Sequence, residues 1–168
     1  AYYQAADTVI NDYSFKEAMA ALYAVTGKEQ QANVLDKEVI VMMEEAFKQS
    51  KTYDSVGHYA DREMAYAYLN VNNTDKALEH ALMEYDRRPA NIDVNEVLAW
   101  VYYNKGEFNT ALKYIETALR TQSKNPELLC RAAMIYAKNN QQVKAKELLQ
   151  VAVKNNPSFS VRLKIQVD

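Results

Sequence analysis

The chain has 168 residues, of which only three are glycine and three are proline, and its formal net charge is −2. So few turn-forming residues exclude a sandwich or barrel of many short strands, and they predict a mostly helical fold. The near balance of charge excludes the strongly basic surface typical of proteins that bind nucleic acid, and no apolar run reaches the roughly 18 residues that span a membrane.

The N-terminal part of the chain is predicted to contain one helix tail and one helix hairpin. Residues 1–12 are expected to be the tail of a preceding helix, so that the chain would be part of a longer protein. Residues 15–50 are predicted to form the hairpin. It contains small and aromatic residues at spacings that recur downstream, namely Met19, Ala20, Tyr23, Gly27 and Ala32.

Three further units follow at a constant interval and are predicted to cover residues 58–91, 92–125 and 126–159. An alanine marks the interval, because 111 − 77 and 145 − 111 are both 34. A tyrosine lies nine residues before each of these alanines, and a second alanine lies three residues before each tyrosine; the positions are Ala77, Ala111, Ala145, Tyr68, Tyr102, Tyr136, Ala65, Ala99 and Ala133. A period of this length is typical of a two-helix repeat.

The first hairpin is offset from this interval. The separation of Ala32 and Ala77 is 77 − 32 = 45, which is 34 + 11. An insertion of this size makes three helical turns at about 3.67 residues each, so a helix can gain it without rotating its buried face. We therefore predict a long second helix from Glu29 to about Gln49. The alternative places the extra residues in a loop at 51–57.

The recurring residues resemble those of the tetratricopeptide repeat (TPR) family. The last unit matches the family pattern best, through Leu129, Ala132, Ala133, Tyr136, Ala145, Leu149, Ala152 and Pro157. The unit at 58–91 departs from the pattern, with Asp61 and Glu84 at positions that are normally apolar. The resemblance covers roughly residues 15–158 and implies an all-α fold, a right-handed superhelix of antiparallel helix hairpins (an α-solenoid). The domain is predicted to be a single array within residues 1–168.

The C-terminal segment, 160–168, does not continue the repeat. Apolar and polar side chains alternate here, which predicts an extended strand. Phe159, Leu163 and Val167 are also spaced as one face of a helix, so both interpretations stay open.

Residues capable of catalysis or metal binding are sparse. The histidines are His58 and His80, and neither has a second ligand at metal spacing, so both are predicted to lie on the surface or beside a helix. Cys130 has no nearby histidine in the sequence and is predicted to be a buried small hydrophobe. We therefore predict no catalytic residue, no metal and no cofactor.

The resemblance implies that the first helices of the hairpins, called helices A in the family, line a concave surface. Tyr66, Trp100 and Met134 occupy equivalent positions, one repeat interval apart, and are expected to form a ladder along it. The candidate binding residues for a protein or peptide are Tyr59, Arg62, Tyr66, Glu96, Trp100, Tyr103, Asn104, Arg131, Met134 and Lys138. The alternative is that Trp100 and Tyr103 only pack against neighbouring helices and stiffen the array.

The leading functional hypothesis is a non-enzymatic scaffold that binds a protein or peptide partner through the concave surface. The alternative is a structural or assembly module that self-associates through its ends, including residues 159–167. A third hypothesis is an accessory domain of an enzyme whose catalytic residues lie elsewhere. General resemblance to bacterial TPR segments suggests a bacterial protein, with export to the periplasm and residence in the cytoplasm both open.

Overall fold

The structure is a computed structural model, and it describes residues 12–50 and 60–156. Within these two ranges the chain forms eight α-helices and no strand. The helices are α1 (Tyr13–Val25), α2 (Glu29–Ser50), α3 (Asp61–Asn70), α4 (Thr74–Arg87), α5 (Ile92–Asn104), α6 (Phe108–Ala118), α7 (Pro126–Lys138) and α8 (Gln142–Asn155). A single 3-10 turn, Leu119–Thr121, follows α6.

Consecutive helices pack as hairpins that stack into an array. The pairs are α1 with α2, α3 with α4, α5 with α6 and α7 with α8. Helices α3, α5 and α7 also contact one another in succession, so the first helices of the last three hairpins form one layer. The predicted all-α solenoid is therefore confirmed, whereas the unit boundaries at 58–91, 92–125 and 126–159 stay a proposal.

All four hairpin turns have the same local geometry. A residue in the left-handed region lies two positions after the end of each first helix, and the positive φ angles belong to Gly27 (73°), Asn72 (58°), Gly106 (80°) and Asn140 (60°). Glycine has no Cβ to clash there, and asparagine tolerates this conformation better than most residues. The next backbone N–H donates back to the carbonyl of the recurring tyrosine, at 2.9 Å in every case: Tyr23, Tyr68, Tyr102 and Tyr136. This bond closes each helix end and fixes the turn.

The recurring alanines lie where helices cross. Ala65, Ala77, Ala99, Ala111 and Ala133 are all buried. A methyl group at these positions lets two helix backbones approach closely, and larger neighbours fill the remaining space. The alanine spacing in the sequence thus reports the packing of the array.

Helix α2 is much longer than the others. It has 22 residues, whereas the other helices have 10 to 14. Val39, Ile40 and Met43 form its buried stripe and join the core of the second hairpin. The insertion that offsets the first unit from the regular interval is thus compatible with one continuous helix.

A buried cluster of ionisable groups occupies the two positions where the second hairpin departs from the family pattern. We call it the ionic cluster; it consists of Asp61, His80, Glu84, Arg87 and Arg88. The carboxylates of Asp61 and Glu84 are fully buried, and His80 is 8% exposed. His80 Nδ1 lies 2.7 Å from Asp61 Oδ1, Arg87 contacts both carboxylates, and Arg88 pairs with Glu84.

The environment of His80 corrects its predicted surface location. Its ring stacks on Tyr68 with centroids 5.4 Å apart and meets Phe47 of α2 edge-on at 5.9 Å. The prediction was wrong because the partners of His80 lie on other helices, α2 and α3, which no spacing along α4 reveals.

Several predictions lie outside the described residues. They concern the helix tail at 1–11, the loop alternative at 51–57, His58, Tyr59 and the segment 160–168. Asp12, which ends the predicted tail, is described, and its side chain accepts a hydrogen bond from the N–H of Ser14 as the N-cap of α1. None of the described helices combines the length and the hydrophobicity needed to cross a membrane.

Candidate functional site

The side chain of Arg131 on α7 joins the first helices of three successive hairpins. Its guanidinium carbon lies 4.8 Å from the ring centroid of Tyr66 on α3 and 5.7 Å from that of Trp100 on α5. One nitrogen, Nη1, donates to the Tyr66 hydroxyl at 3.0 Å and to Glu96 Oε1 at 2.5 Å. Nη2 lies 3.5 Å from Glu127 Oε2. A planar guanidinium can stack on rings and bond carboxylates at the same time, which a lysine cannot do.

We call this group the Arg131 cluster; it consists of Tyr66, Glu96, Trp100, Tyr103, Arg131 and Met134. The sides of α3, α5 and α7 that carry it are called the helix-A surface. The cluster forms because successive repeats stack with equivalent positions side by side. Tyr66, Trp100 and Met134 are such positions, and Arg131 lies one helical turn before Met134.

Burial changes the ionisation of this cluster. It raises the pKa of Glu96 even though Arg131 pairs with that carboxylate. The loss of hydration therefore disfavours the charged form of Glu96 more than the pairing with Arg131 favours it. Burial also raises the pKa of the Tyr66 hydroxyl well above its ordinary value. For Arg131 burial acts to lower the pKa, but Tyr66 and Glu96 outweigh it, and the guanidinium stays charged.

One nitrogen of the Arg131 side chain is buried without a hydrogen-bond partner among the described residues. This nitrogen is Nε. Buried polar groups are nearly always paired, so this atom is an exception in the centre of the cluster.

Trp100 does not lie open on the helix-A surface. Its side chain is 6% exposed and stacks on Tyr103, with ring centroids 4.8 Å apart and planes 7° from parallel. Cys130 lies buried beside it, and burial raises the pKa of that thiol. For Trp100 the structure therefore supports the packing alternative rather than an exposed anchor.

The other candidate residues fall into two groups. Tyr66, Tyr103 and Met134 are half-buried and belong to the Arg131 cluster. Arg62, Asn104 and Lys138 make other contacts, of which that of Asn104 is with the backbone of Trp100.

The side chains of Arg62, Asn104 and Lys138 are partly or fully exposed. Arg62 lies 3.7 Å from Asp93, the side-chain amide of Asn104 donates to the Trp100 carbonyl at 2.8 Å, and Lys138 lies 5.6 Å from the ring of Phe108. Tyr59 lies outside the described residues.

The ionic cluster is the group that sequence reasoning missed. Its signal was present, since two acidic residues stand at apolar positions and two arginines follow Glu84 at three and four residues, a helical spacing for ion pairs. In the part of the chain that the structure describes, no three His, Cys, Asp or Glu residues are arranged to hold a metal ion.

Comparison with known proteins identifies the fold. No protein-family model matches the chain, and no curated protein sequence matches it either. TTC0263, a thermophilic TPR protein of Thermus thermophilus, matches with a TM-score of 0.55 and 18% identity over 87% of this chain and 75% of that one. The chain has the tetratricopeptide repeat fold.

Two further solved structures agree with this fold. YrrB, described as a TPR protein with an unusual peptide-binding site, matches with a TM-score of 0.53 and 13% identity over 100% of this chain and 99% of its own. MamA AMB-1 matches with a TM-score of 0.51 and 16% identity over 91% of this chain and 96% of its own. At such identities the likeness shows the TPR fold alone, so the function has to be argued from the residues of this chain.

Proposed function

We propose that this chain is a non-enzymatic TPR scaffold that binds a protein or peptide partner through the helix-A surface. The observation that carries the proposal is the Arg131 cluster, in which one guanidinium joins three successive hairpins. The description of YrrB as having a peptide-binding site is consistent with this role, but the argument rests on the chemistry of the cluster.

The composition of the cluster favours binding. Tyrosine, tryptophan and arginine are the residues that contribute most energy at protein interfaces. The Glu96–Arg131 pair is expensive to bury, as the raised pKa of Glu96 indicates, and an apolar pair would serve stability at least as well. A role in recognition explains why such a pair lies between repeats.

The exposed edge of the same surface carries both signs of charge. Arg62 and Lys138 are cationic, and Asp93 and Glu127 are anionic, with 56% and 43% of their side chains exposed. Tyr66, Tyr103 and Met134 of the same surface are half-buried. The arrangement suits a peptide that places one apolar side chain against Tyr66 or Met134 and polar groups along the edge.

The experiment tests partner contact directly. A photo-crosslinking amino acid is placed at Met134, and as a control at Lys113, an exposed position on α6, in the cells that produce the protein. We expect a specific crosslinked partner from position 134 only. With that partner purified, Arg131→Met should weaken binding by about tenfold or more, or roughly 1.4 kcal/mol, and Lys113→Met should leave the Kd unchanged.

A second variant separates binding from folding. Tyr66→Phe removes only the hydroxyl that accepts from Arg131. Equal crosslinking at both positions, or wild-type affinity in both Arg131→Met and Tyr66→Phe with normal circular dichroism, would contradict the proposal.

The second candidate function is assembly through the ends of the array. In the described part of the chain, the large apolar residues with exposed side chains all lie in α1, α2 and α8, and none lies in α3 to α7. They are Leu22, Val25, Val34, Val41, Val143, Val151 and Val153. Apolar residues gathered at both ends of a repeat array suit contacts with another molecule or another copy.

Sedimentation velocity over a wide range of protein concentration tests this candidate. Val143 is 76% exposed, so Val143→Asp should leave folding intact and abolish concentration-dependent association. Lys146→Asp on the same helix is the control and should associate as the wild type does. A wild-type chain that sediments as a monomer at every concentration rules the candidate out.

A further inference from the structure

A cavity of about 570 Å³ lies between α6 and α8, away from the helix-A surface. Leu129 and Tyr136 of α7 form its floor and are almost completely buried. Leu148 and Val151 of α8 extend the apolar lining toward the solvent, and Val151 is 40% exposed. The volume falls within the range of roughly 300–1,000 Å³ that small ligands and side chains occupy in proteins. We call it the basic cavity.

Three cations surround this apolar floor. Arg120 belongs to the 3-10 turn after α6, Lys124 to the loop before α7, and Lys144 to the first turns of α8. Glu116 is the acidic residue of the lining, so the local charge is 3 − 1 = +2, in a chain whose formal net charge is −2. The cavity therefore has a charge opposite to that of the chain as a whole.

These cations are not neutralised by the described part of the chain. None of the three forms an ion pair with a described carboxylate, in contrast to Arg87 and Arg131, which each pair with two. Arg120 donates to the carbonyl of Ala90, and Lys144 Nζ lies 4.2 Å from the ring centroid of Tyr136. Unpaired cations around an apolar floor favour a ligand that is both acidic and apolar.

We propose that the basic cavity binds an acidic peptide segment of a partner protein, with one apolar side chain over Leu129 and Leu148 and carboxylates beside Lys124 and Lys144. A peptide fits better than a compact anion, because the three cations come from three separate elements that line an apolar floor. The site is distinct from the helix-A surface, since α7 contributes different residues to each. The inference therefore stands independently of the proposed function.

Titration of the ¹⁵N-labelled full chain, followed by NMR, tests the proposal. The probe is an acetylated and amidated peptide, Glu-Glu-Leu-Phe-Glu-Glu. We expect saturable shifts confined to residues 116–124, 129, 136 and 144–151. The peptides Lys-Lys-Leu-Phe-Lys-Lys and Glu-Glu-Ser-Ser-Glu-Glu should each bind at least tenfold more weakly, and added salt should weaken the acidic probe because it screens charge.

Two double variants with the same change of charge locate the site. Lys124→Glu with Lys144→Glu should weaken the acidic probe at least tenfold, whereas Lys113→Glu with Lys146→Glu, which lie outside the cavity lining, should not. Circular dichroism and thermal melting confirm that both are folded.

Four outcomes would overturn the proposal. The first is the absence of saturable shifts in the cavity residues up to millimolar probe, and the second is an equal loss of probe affinity in the two double variants. The third is a set of cavity signals that shift with protein concentration, which would show that a second copy fills the site. The fourth is contact in the free chain between the cavity and residues 157–168.

Discussion

Replacing Arg87 by methionine is expected to lower the free energy of unfolding by about 3 kcal/mol, the lower end of the range for removal of one partner from a buried ion pair. Methionine preserves the apolar stem but leaves Asp61 and Glu84 without the cation that both of them contact. We place the loss at the lower end because the side chain of Arg87 is 30% exposed, while the carboxylates of Asp61 and Glu84 are fully buried. Urea unfolding followed by circular dichroism gives the value.

A triple variant is the matched control for this effect. Asp61→Leu and Glu84→Ala, combined with Arg87→Met, remove the buried charges together and bring the hairpin closer to the apolar family pattern. Because the triple variant keeps neither of the two buried carboxylates that Arg87 contacts, we expect it to be more stable than Arg87→Met alone. A single variant as stable as the wild type, or a triple variant less stable than the single one, contradicts this account of the ionic cluster.

The same cluster predicts how stability depends on pH. Burial alone would raise the pKa of Asp61, but its hydrogen bonds from His80 and Arg87 outweigh burial, and the net pKa lies below its ordinary value. A carboxyl whose pKa is lowered on folding stabilises the protein above the pKa of the unfolded chain, about 3.9 for aspartate, and this contribution disappears as the pH falls through the folded pKa. Between about pH 5 and pH 2 the wild type should therefore lose a contribution that the triple variant lacks.

Replacing Trp100 by alanine is expected to destabilise the array by about 3–5 kcal/mol, the usual cost of removing a buried aromatic side chain. The ring of Trp100 is almost completely buried, stacks on Tyr103 and supports the guanidinium of Arg131. The loss should appear as a lower urea midpoint. The substitution should also remove the ring that supports the guanidinium of Arg131. Crosslinking and partner binding at the helix-A surface should therefore weaken together with the stability of the fold.

Trp100→Phe is the control, because it retains an aromatic ring at the same position. We expect it to lose less than half of the stability that alanine loses. If Trp100→Ala unfolds at the wild-type urea concentration, the side chain is not the packing element that the structure indicates. Binding experiments therefore use Tyr66→Phe together with Arg131→Met, since a loss of binding in Trp100→Ala, or in Arg131→Met alone, would not separate recognition from folding.

The fold could be predicted from the sequence because its determinants are local and repeated. Alanine, tyrosine and left-handed turn residues recur at a fixed interval, and each constrains its own hairpin. Ala99 and Gly106 illustrate this, since a helix crossing needs the first and a turn needs the second wherever they occur. The site was predicted only in part. The repeat interval predicted that Tyr66, Trp100 and Met134 share one surface. It could not show that Tyr103 and Arg131 cover the ring of Trp100.

Ion pairs between different helices explain the other difference between the sequence predictions and the structure. Asp61 and Glu84 could be recognised as departures from the family pattern, yet nothing in the spacing indicates that Arg87, three residues after Glu84, also contacts Asp61. His80 was assigned to the surface for the same reason, because its partners Asp61 and Phe47 lie on other helices. Pairings between elements depend on side-chain conformation in the folded chain, and a periodic pattern contains no information about that.

The turns inside the hairpins and the junctions between them obey different rules. Every turn has a left-handed residue and the same hydrogen bond to a tyrosine carbonyl. The junctions differ from each other: residues 88–91 connect α4 to α5 directly, whereas residues 119–125 include a 3-10 turn, a left-handed Gln122 and part of the basic cavity. The turns within the hairpins are therefore alike, whereas the two described junctions between hairpins differ in length and in content.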